Sequence, residues 1–459
     1  ADIESTEDFT GWNSSFTGTP MPEIEMRAWR DETLERIRAL GARRILEIGC
    51  GSGLLLFPLA PEVDVYVGTD LSAETIDRLK WKTAGHGLTH VSLHHREATD
   101  FSGLGDDFDL VIINSVAQYF PSAQYLQEVL ELAMSALTPT GSLFLGDLRH
   151  LGLLDAFHTA IQDVRSESGQ AVAQLSANAK MAAAADKELL VDPAFLREFA
   201  GALGIAGGLR LLPKQGVHDN ELTAYRFDAI LQRGTLPSVS DAITWRWRDD
   251  ALDRDRLSER LAGSPRQTYA LLGIDNTRLV RDCTLARLVL GEDRQDDLSR
   301  IRSLAAERAA ARPSLTPAQL LELATAKGYQ VVLHWEGTDA ACFHALLLPA
   351  ESHESPLPAF PEALVEPATG RPLTNAPMQA GIRARLRETL AKALADELPA
   401  YMQPAHLLVL EAFPLTANGK VDRQALESLA RGTSGSAYAT PEGQTESVLG
   451  EMWSQLLGI

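Results

Sequence analysis

Apolar positions in the first half of the chain fall in short runs, and their period switches from one run to the next. Over residues 22–40, Met26, Trp29, Leu34, Ile37 and Leu40 recur at helical spacing and predict an amphipathic helix. Apolar or β-branched runs at 44–48, 63–69, 90–95, 110–114 and 142–146 then alternate with helix-like stretches such as 72–84 and 122–137. Near-continuous apolar strands separated by helices predict a doubly wound α/β domain, its parallel sheet covered on both faces. An Ala-rich helical stretch over 151–185 follows, and the runs at 209–212 and 224–231 supply the remaining strands.

Beyond residue 236 the periodicity weakens. Trp245 and Trp247 share a strand face, 278–290 reads as a strand and 315–327 as a helix. Prolines around 349–377 mark a linker; 381–398 reads as helix, 406–410 as strand and 432–436 as a flexible link. Thr440-Pro441-Glu442 opens a helix with Val448, Leu449, Trp453, Leu456 and Leu457 on one side. A chain of 459 residues is expected to hold two or three folding units.

Charge removes one class of function. Against 62 acidic residues stand 42 basic ones, a net charge of −20, with no Lys/Arg cluster to cradle a phosphate backbone. Nucleic acid is not expected as a partner. No run of about 18 apolar residues is present and the N-terminus is acidic, so neither a membrane span nor a signal peptide is expected. Cys50, Cys283 and Cys342 lie far apart without metal-ligand spacing, which fits a reducing cytoplasm and no metal.

The chemistry begins at Glu47-Ile48-Gly49-Cys50-Gly51-Ser52-Gly53, where a strand runs into a glycine loop and then a helix. Such a loop lets backbone approach a ligand closely. A dinucleotide fingerprint would need a glycine at position 54, which is Leu54. Asp70 ends the second strand, where a carboxylate accepts from both ribose hydroxyls. A site that keeps the ribose acid but lacks the third pyrophosphate glycine favours a nucleoside without a diphosphate, as in S-adenosylmethionine; another Rossmann-like cofactor such as NAD is the alternative.

On these residues, 36–150 resembles the class I S-adenosylmethionine-dependent methyltransferases. The resemblance implies Glu47, Gly49, Cys50, Gly51 and Gly53 around the methionine moiety, Asp70 and Leu71 at the ribose, and Glu97, Ala98 and Thr99 near adenine. It places Asn114 and Ser115 beside the sulfonium. Base-methylating relatives resemble one another in an Asn/Asp-Pro-Pro-aromatic motif after the fourth strand; here the segment is Asn114-Ser115-Val116-Ala117-Gln118-Tyr119-Phe120, which counts against base methylation. Catalysis needs mainly a neutral amine held in line with the methyl group. Gln118, Tyr119, Asp147, Arg149 and His158 are candidate proton acceptors or amine orienters. Each has a plain alternative: Tyr119 packing, Arg149 pairing with an acid, or His158 as a satisfied helix histidine.

A second signature stands far downstream. Leu398-Pro399-Ala400-Tyr401-Met402-Gln403-Pro404, then Asn418-Gly419-Lys420-Val421-Asp422-Arg423, resembles the last two core motifs of nonribosomal peptide synthetase adenylation domains. In that family the lysine matching Lys420 supports adenylate formation, and without the missing large subdomain it is expected to be inert here. Residues 440–459 resemble the first helix of a carrier domain. The pairing, with Phe9–Gly18-like, 111–121, 146–149 and 219–228 segments, resembles methyltransferases inserted between the eighth and ninth adenylation motifs. That resemblance implies methylation of a backbone α-amine on a carrier-tethered aminoacyl thioester; side-chain O- or C-methylation and a catalytically silent insertion are the alternatives. It implies an aminoacyl-phosphopantetheinyl carrier domain, the remainder of the adenylation domain and a small accessory protein as partners. By the same resemblance, Trp12, Ile24 and Met26 are expected to form a lid over the cofactor, with anchoring of the first helix as the alternative; Asn220, Glu221 and Tyr225 are expected to face the thioester, with a hairpin as the alternative. The expected divisions are an N-terminal lid (1–35), a methyltransferase core (36–235), an accessory α+β segment (236–355), an α+β adenylation fragment (356–430), and a linker with the carrier helix (431–459).

Overall fold

Helix α1 (Glu23–Arg38) buries Met26, Trp29, Leu34 and Ile37, as its spacing predicts. Then follow β1 (Arg44–Ile48), α2 (Leu56–Leu59), β2 (Val65–Asp70), α3 (Ala73–Gly85), β3 (Val91–His95), β4 (Phe108–Asn114), α4 (Ala123–Ser135) and β5 (Leu137–Arg149). Helices α3 and α4 start where Ser72 and Ser122 accept hydrogen bonds from Thr75 N and Tyr125 N. The Ala-rich stretch forms two helices, α5 (Leu154–Arg165) and α6 (Val172–Ala184). After α7 (Pro193–Ala202) come β6 (Leu209–Pro213), the single turn α8 (Glu221–Ala224) and β7 (Arg226–Gln232). This computed structural model describes residues 7–377 apart from 167–169, 235, 238, 240, 264–265, 292–296, 336, 352–356 and 365–369, with scattered positions from 386 to 426 beyond them.

The seven strands lie in the order β3-β2-β1-β4-β5-β7-β6. From β3 to β5 all neighbours are parallel, but β7 runs antiparallel to both β5 and β6. The sheet is therefore mixed rather than wholly parallel. The short connection from β6 to β7 holds only one helical turn, too little for a parallel crossover. Strand order reverses between β1 and β4, and a crevice opens beyond their C-terminal ends.

Residues 243–349 build a second sheet: β8 (Ile243–Arg246), α9 (Arg254–Gly263), β9 (Tyr269–Asp275), α10 (Thr277–Leu290), α11 (Leu298–Ala310), α12 (Pro317–Ala326), β10 (Tyr329–His334) and β11 (Cys342–Pro349). Its order is β10-β11-β9-β8. The strand expected at 278–290 is instead the helix α10. Asn276 caps it by accepting from Arg278 N, and Leu279, Val280, Leu285, Ala286 and Val289 bury one face at helical spacing. Trp245 stacks on Tyr269 with ring centroids 4.3 Å apart, while buried Trp247 lies just past β8 and donates to Pro313 O.

The two sheets share one apolar core. Leu211, Phe227, Trp335 and Phe343 belong to a single buried cluster. Trp335 N donates to Leu211 O at 2.8 Å, so the edge strand β6 is met by the chain just after β10. The Trp335 ring packs against His150, 4.9 Å away, and burial pushes that imidazole down to about 4.

The chain divides into two compact units, Ala1–Gly381 and Ile382–Ile459. In the second, positions 386 and 389–394 are helical, inside the helix expected at 381–398. Lys420 and its motif, the 406–410 strand, the 432–436 link and the 440–457 helix lie outside the described residues. Among the described residues no helix is long and apolar enough to cross a membrane. Replacing Trp335 with Ala is expected to lower the unfolding free energy by about 3–5 kcal/mol in chemical denaturation. A loss below about 1 kcal/mol would show that the sheets do not depend on a common core.

Candidate active site

The glycine loop stands at the end of β1. Gly49, Gly51 and Gly53 all have positive φ (74°, 48° and 88°), a backbone that glycine adopts without strain. A Cβ on Gly49 would fall 2.4 Å from Val116 Cγ2, and one on Gly53 2.8 Å from Phe57, whereas one on Gly51 would meet open space. Asp70, at the tip of β2, accepts from Gly51 N with Oδ2 and from Ser72 N with Oδ1, both at 2.9 Å. Each oxygen keeps a lone pair for a ribose hydroxyl. Leu71 and Glu97 are exposed beside it, and Ala98 and Thr99 are half-buried.

Glu47 does not face the crevice openly. It is buried beneath the loop, accepts from the Tyr66 hydroxyl at 2.6 Å, and burial pushes its carboxyl up to about 7. Buried Cys50 contributes backbone only, since burial pushes its thiol far above the usual range. At the tip of β4, Asn114 Oδ1 is buried with no donor, and Ser115 takes φ +54°.

Ser115 leads into a buried charge cluster. Its hydroxyl donates to Asp147 Oδ2 at 2.8 Å, and Trp29 Nε1 donates to Asp147 Oδ1 at 3.0 Å. Arg226 pairs with Asp147, and Lys214 Nζ lies 2.6 Å from Asp228 Oδ1, which also accepts from Asp147 N. Arg36 bridges Asp228 and Glu32. Burial alone would push the Asp147 carboxyl up, but the Arg226 and Lys214 charges outweigh it and hold it below the carboxylate range. Asp147 is wholly buried, so it cannot meet an amine as expected from sequence. It orients Ser115 and Trp29 instead.

Beside this cluster opens a cavity of about 700 Å³. Gln118, Tyr119, Arg149, His158 and Glu221, scattered over the sequence, all line it, with Trp12, Phe157, Tyr225 and Arg226. Gln118 is buried and its Oε1 has no donor; Tyr119 stands on the exposed rim. Arg149 Nη1 lies 2.9 Å from both Asp186 Oδ1 and Glu188 Oε2, its guanidinium over the Phe157 ring. His158 Nε2 meets Asp186 Oδ2 at 2.9 Å. Burial opposes ionisation of Asp186, yet the hydrogen bonds from His158 and Arg149 hold it far below the carboxylate range. Asp186 and Glu188 were missed in the sequence; their signal was an Asp-Lys-Glu triplet directly after an Ala-rich helix.

Glu221 serves as a fastener. Its carboxylate accepts from Ser15 N, Ser15 Oγ and Ser14 Oγ, tying the N-terminal segment to α8. Asn220 caps α8 in a capping box and donates to Glu25, so 219–225 is a helical turn rather than a hairpin. Trp12 packs 4.8 Å from Trp29, Met26 is fully buried in the same small cluster with Leu54 and Leu222, and Ile24 points to solvent at 66% exposure. Among the described residues no cluster of metal ligands is present.

This strand order, with a glycine loop after β1 and a carboxylate ending β2, is the fold of the class I methyltransferases, which draw their methyl group from S-adenosylmethionine. Residues 46–143 match the family model of a methyltransferase domain. Over 98% of its length the chain is 37% identical to chondramide synthase of Chondromyces crocatus, covering 12% of that protein. Over 99% it is 34% identical to a probable non-canonical nonribosomal peptide synthetase, CymA, of Salinispora arenicola, covering 5%. Cyclosporin synthetase of Tolypocladium inflatum is 31% identical over 98% of the chain, covering 3% of that protein. The chain is thus homologous along nearly all its length to stretches of nonribosomal peptide synthetases, and spans only a small part of these relatives.

The donor set fits the cofactor: a cradle open at Gly51, two carboxylate lone pairs at Asp70, and the free Asn114 Oδ1. Stability at this site should depend on pH. Because the Glu47 carboxyl is raised from 4.5 to about 7 in the folded chain, its contribution is complete below pH 4.5 and is lost as pH rises through 7. Glu47→Gln is expected to flatten the fall in unfolding free energy across that window, a difference of about 3 kcal/mol. Parallel pH profiles of the two proteins would show that Glu47 ionises normally.

Proposed function

We propose that the chain transfers a methyl group from S-adenosylmethionine to the backbone α-amine of an aminoacyl group tethered as a carrier thioester. The observation that carries this reading is the cavity beside the tip of β4, where Gln118 lines the wall with a buried, donor-free amide oxygen; Asn114 Oδ1, at the strand tip itself, is donor-free as well. Neutral acceptors of that kind suit the N–H groups of an uncharged amine. The cofactor, when bound, supplies a methyl group on an electrophilic sulfonium. We assign its methionine part to the loop at Glu47, Gly49, Cys50, Gly51 and Gly53, with Asn114 and Ser115 beside the sulfonium. Its ribose goes to Asp70 and Leu71, and its adenine to Glu97, Ala98 and Thr99. Trp12 and Met26 belong to the cover.

The chain's own residues then have four tasks. Gln118 and Asn114 orient the amine. Arg149, neutralised by Asp186 and Glu188, forms the wall without repelling a positive product. His158, if its Nε2–H donates to Asp186, keeps the Nδ1 lone pair to take up the proton released on methylation. Glu221 holds the N-terminal segment over the cavity, and Trp12 on Trp29 helps exclude water. The synthetase homology supports a carrier domain and the rest of an adenylation domain as partners.

Incubation with S-adenosylmethionine and an aminoacyl-pantetheine thioester is expected to add one methyl, which fragmentation places on the α-nitrogen. Gln118→Ala should lower kcat/KM about tenfold by leaving an amine hydrogen unpaired. His158→Ala should lower it about a hundredfold. Both should keep cofactor affinity in calorimetry. A methyl found on the side chain, or none despite bound cofactor, would overturn the reading.

A further inference from the structure

The segment that carries Asp186 and Glu188 is gripped from two sides. Towards the cavity, Leu189 N donates to Gln118 O at 2.7 Å and Val191 N to Arg149 O at 2.9 Å. On its other side the stretch 371–375 lies along it. Val191 and Thr374 form an antiparallel bridge, and Asp192 N donates to Leu373 O at 2.8 Å. Arg371 pairs with the buried Asp192 at 2.7 Å. Asn375 completes this contact with its side chain: Oδ1 accepts from Leu190 N at 2.7 Å and Nδ2 donates to Glu188 O at 2.8 Å. One amide thus satisfies a donor and an acceptor on either side of Leu189, the residue bound to Gln118.

We propose that Asn375, far outside the methyltransferase sheet in sequence, is a positioning residue for the acceptor cavity: its amide fixes the 186–190 segment and so sets how tightly the aminoacyl thioester binds. The inference rests on the proposed methyl transfer for its kinetic readout but not for its structural one. The physical route is short. Glu188 and Asp186 neutralise Arg149 only while their backbone is held. A loosened segment leaves Arg149 with a surplus positive charge in the wall of the cavity, and that charge opposes entry of the protonated form in which much of a free α-amine, of pKa about 7.7–8, stands near pH 7. Leu189 would also release Gln118 O, shifting the amide that faces the substrate. The cofactor loop, on β1 and β2, makes none of these contacts and should be indifferent.

Asn375→Ala and Asn375→Asp in the full chain test this, with three readouts. These are amide hydrogen exchange over 186–191, the KM for an aminoacyl-pantetheine thioester, and the calorimetric Kd of S-adenosylmethionine. For the Ala variant, exchange at Leu190 is expected to speed up about tenfold and KM to rise about tenfold, as the loss of a net hydrogen bond implies. Cofactor Kd should stay within about twofold, an order set by the lack of contact. Asn375→Asp retains the acceptor for Leu190 N and should fall between, and it decides the matter should the Ala variant not fold. Faster exchange with unchanged KM would overturn the proposal by showing a purely structural clamp. Unchanged exchange, or a parallel loss of cofactor affinity, would overturn it as well. If the unsubstituted chain binds cofactor but methylates nothing, the proposed function fails instead. KM is then replaced by the calorimetric Kd of the same thioester, to which the same expectations apply.

Discussion

Everything around the tip of β4 hangs on a cluster of charges built about two carboxylates that have no access to water. Asp147 and Asp228 sit wholly buried at the ends of β5 and β7, answered by Lys214, Arg226 and Arg36. Each cation arrives on a different piece of chain: α1, the segment after β6, and β7 itself. Taking such charges out of water is costly unless every one is paired, so the cluster tolerates only one arrangement of these elements. Its hydrogen bonds to Ser115 and Trp29 turn that constraint into geometry, one at the tip of β4 and the other under the N-terminal cover. The positive φ of Ser115 (54°) and Asp147 (65°) is the local cost of that placement.

Much of the first sheet was legible because burial on both faces writes itself into sequence as unbroken apolar runs, as at 110–114 and 44–48. The direction of β7 was not legible, since an antiparallel insertion leaves the same apolar run as a parallel one. Nor was α10: Val280, Thr284 and Val289 are strand formers by propensity, and the Asn276 cap with the burial of Leu279, Leu285 and Val289 at helical spacing favours the helix. Tertiary packing decided there.

The site divides in the same way. The glycine loop and Asp70 are contiguous chemistry on one βαβ unit, where spacing carries meaning. The cavity is assembled from six separated stretches, and spacing says nothing about which of them meet. Candidates drawn from strand tips therefore gathered at one cavity, but with altered duties. Asp147 went behind the wall, Glu221 became a tie for Ser14 and Ser15, and Asp186 emerged as the partner of both His158 and Arg149.

The hydrogen bond from Trp335 to Leu211 bears on how such a unit can be moved between synthetases. A piece cut where the seven-stranded sheet ends would display β6 as a bare edge, ready to pair with any free strand and to aggregate. It would also forfeit the apolar cover that Trp335 lays over Phe227 and His150. The smallest transplantable piece therefore extends through the second sheet and past Asn375, close to the Gly381 limit of the first compact unit. Recombination at shorter boundaries would yield proteins that fail as soluble material before their chemistry is ever tested.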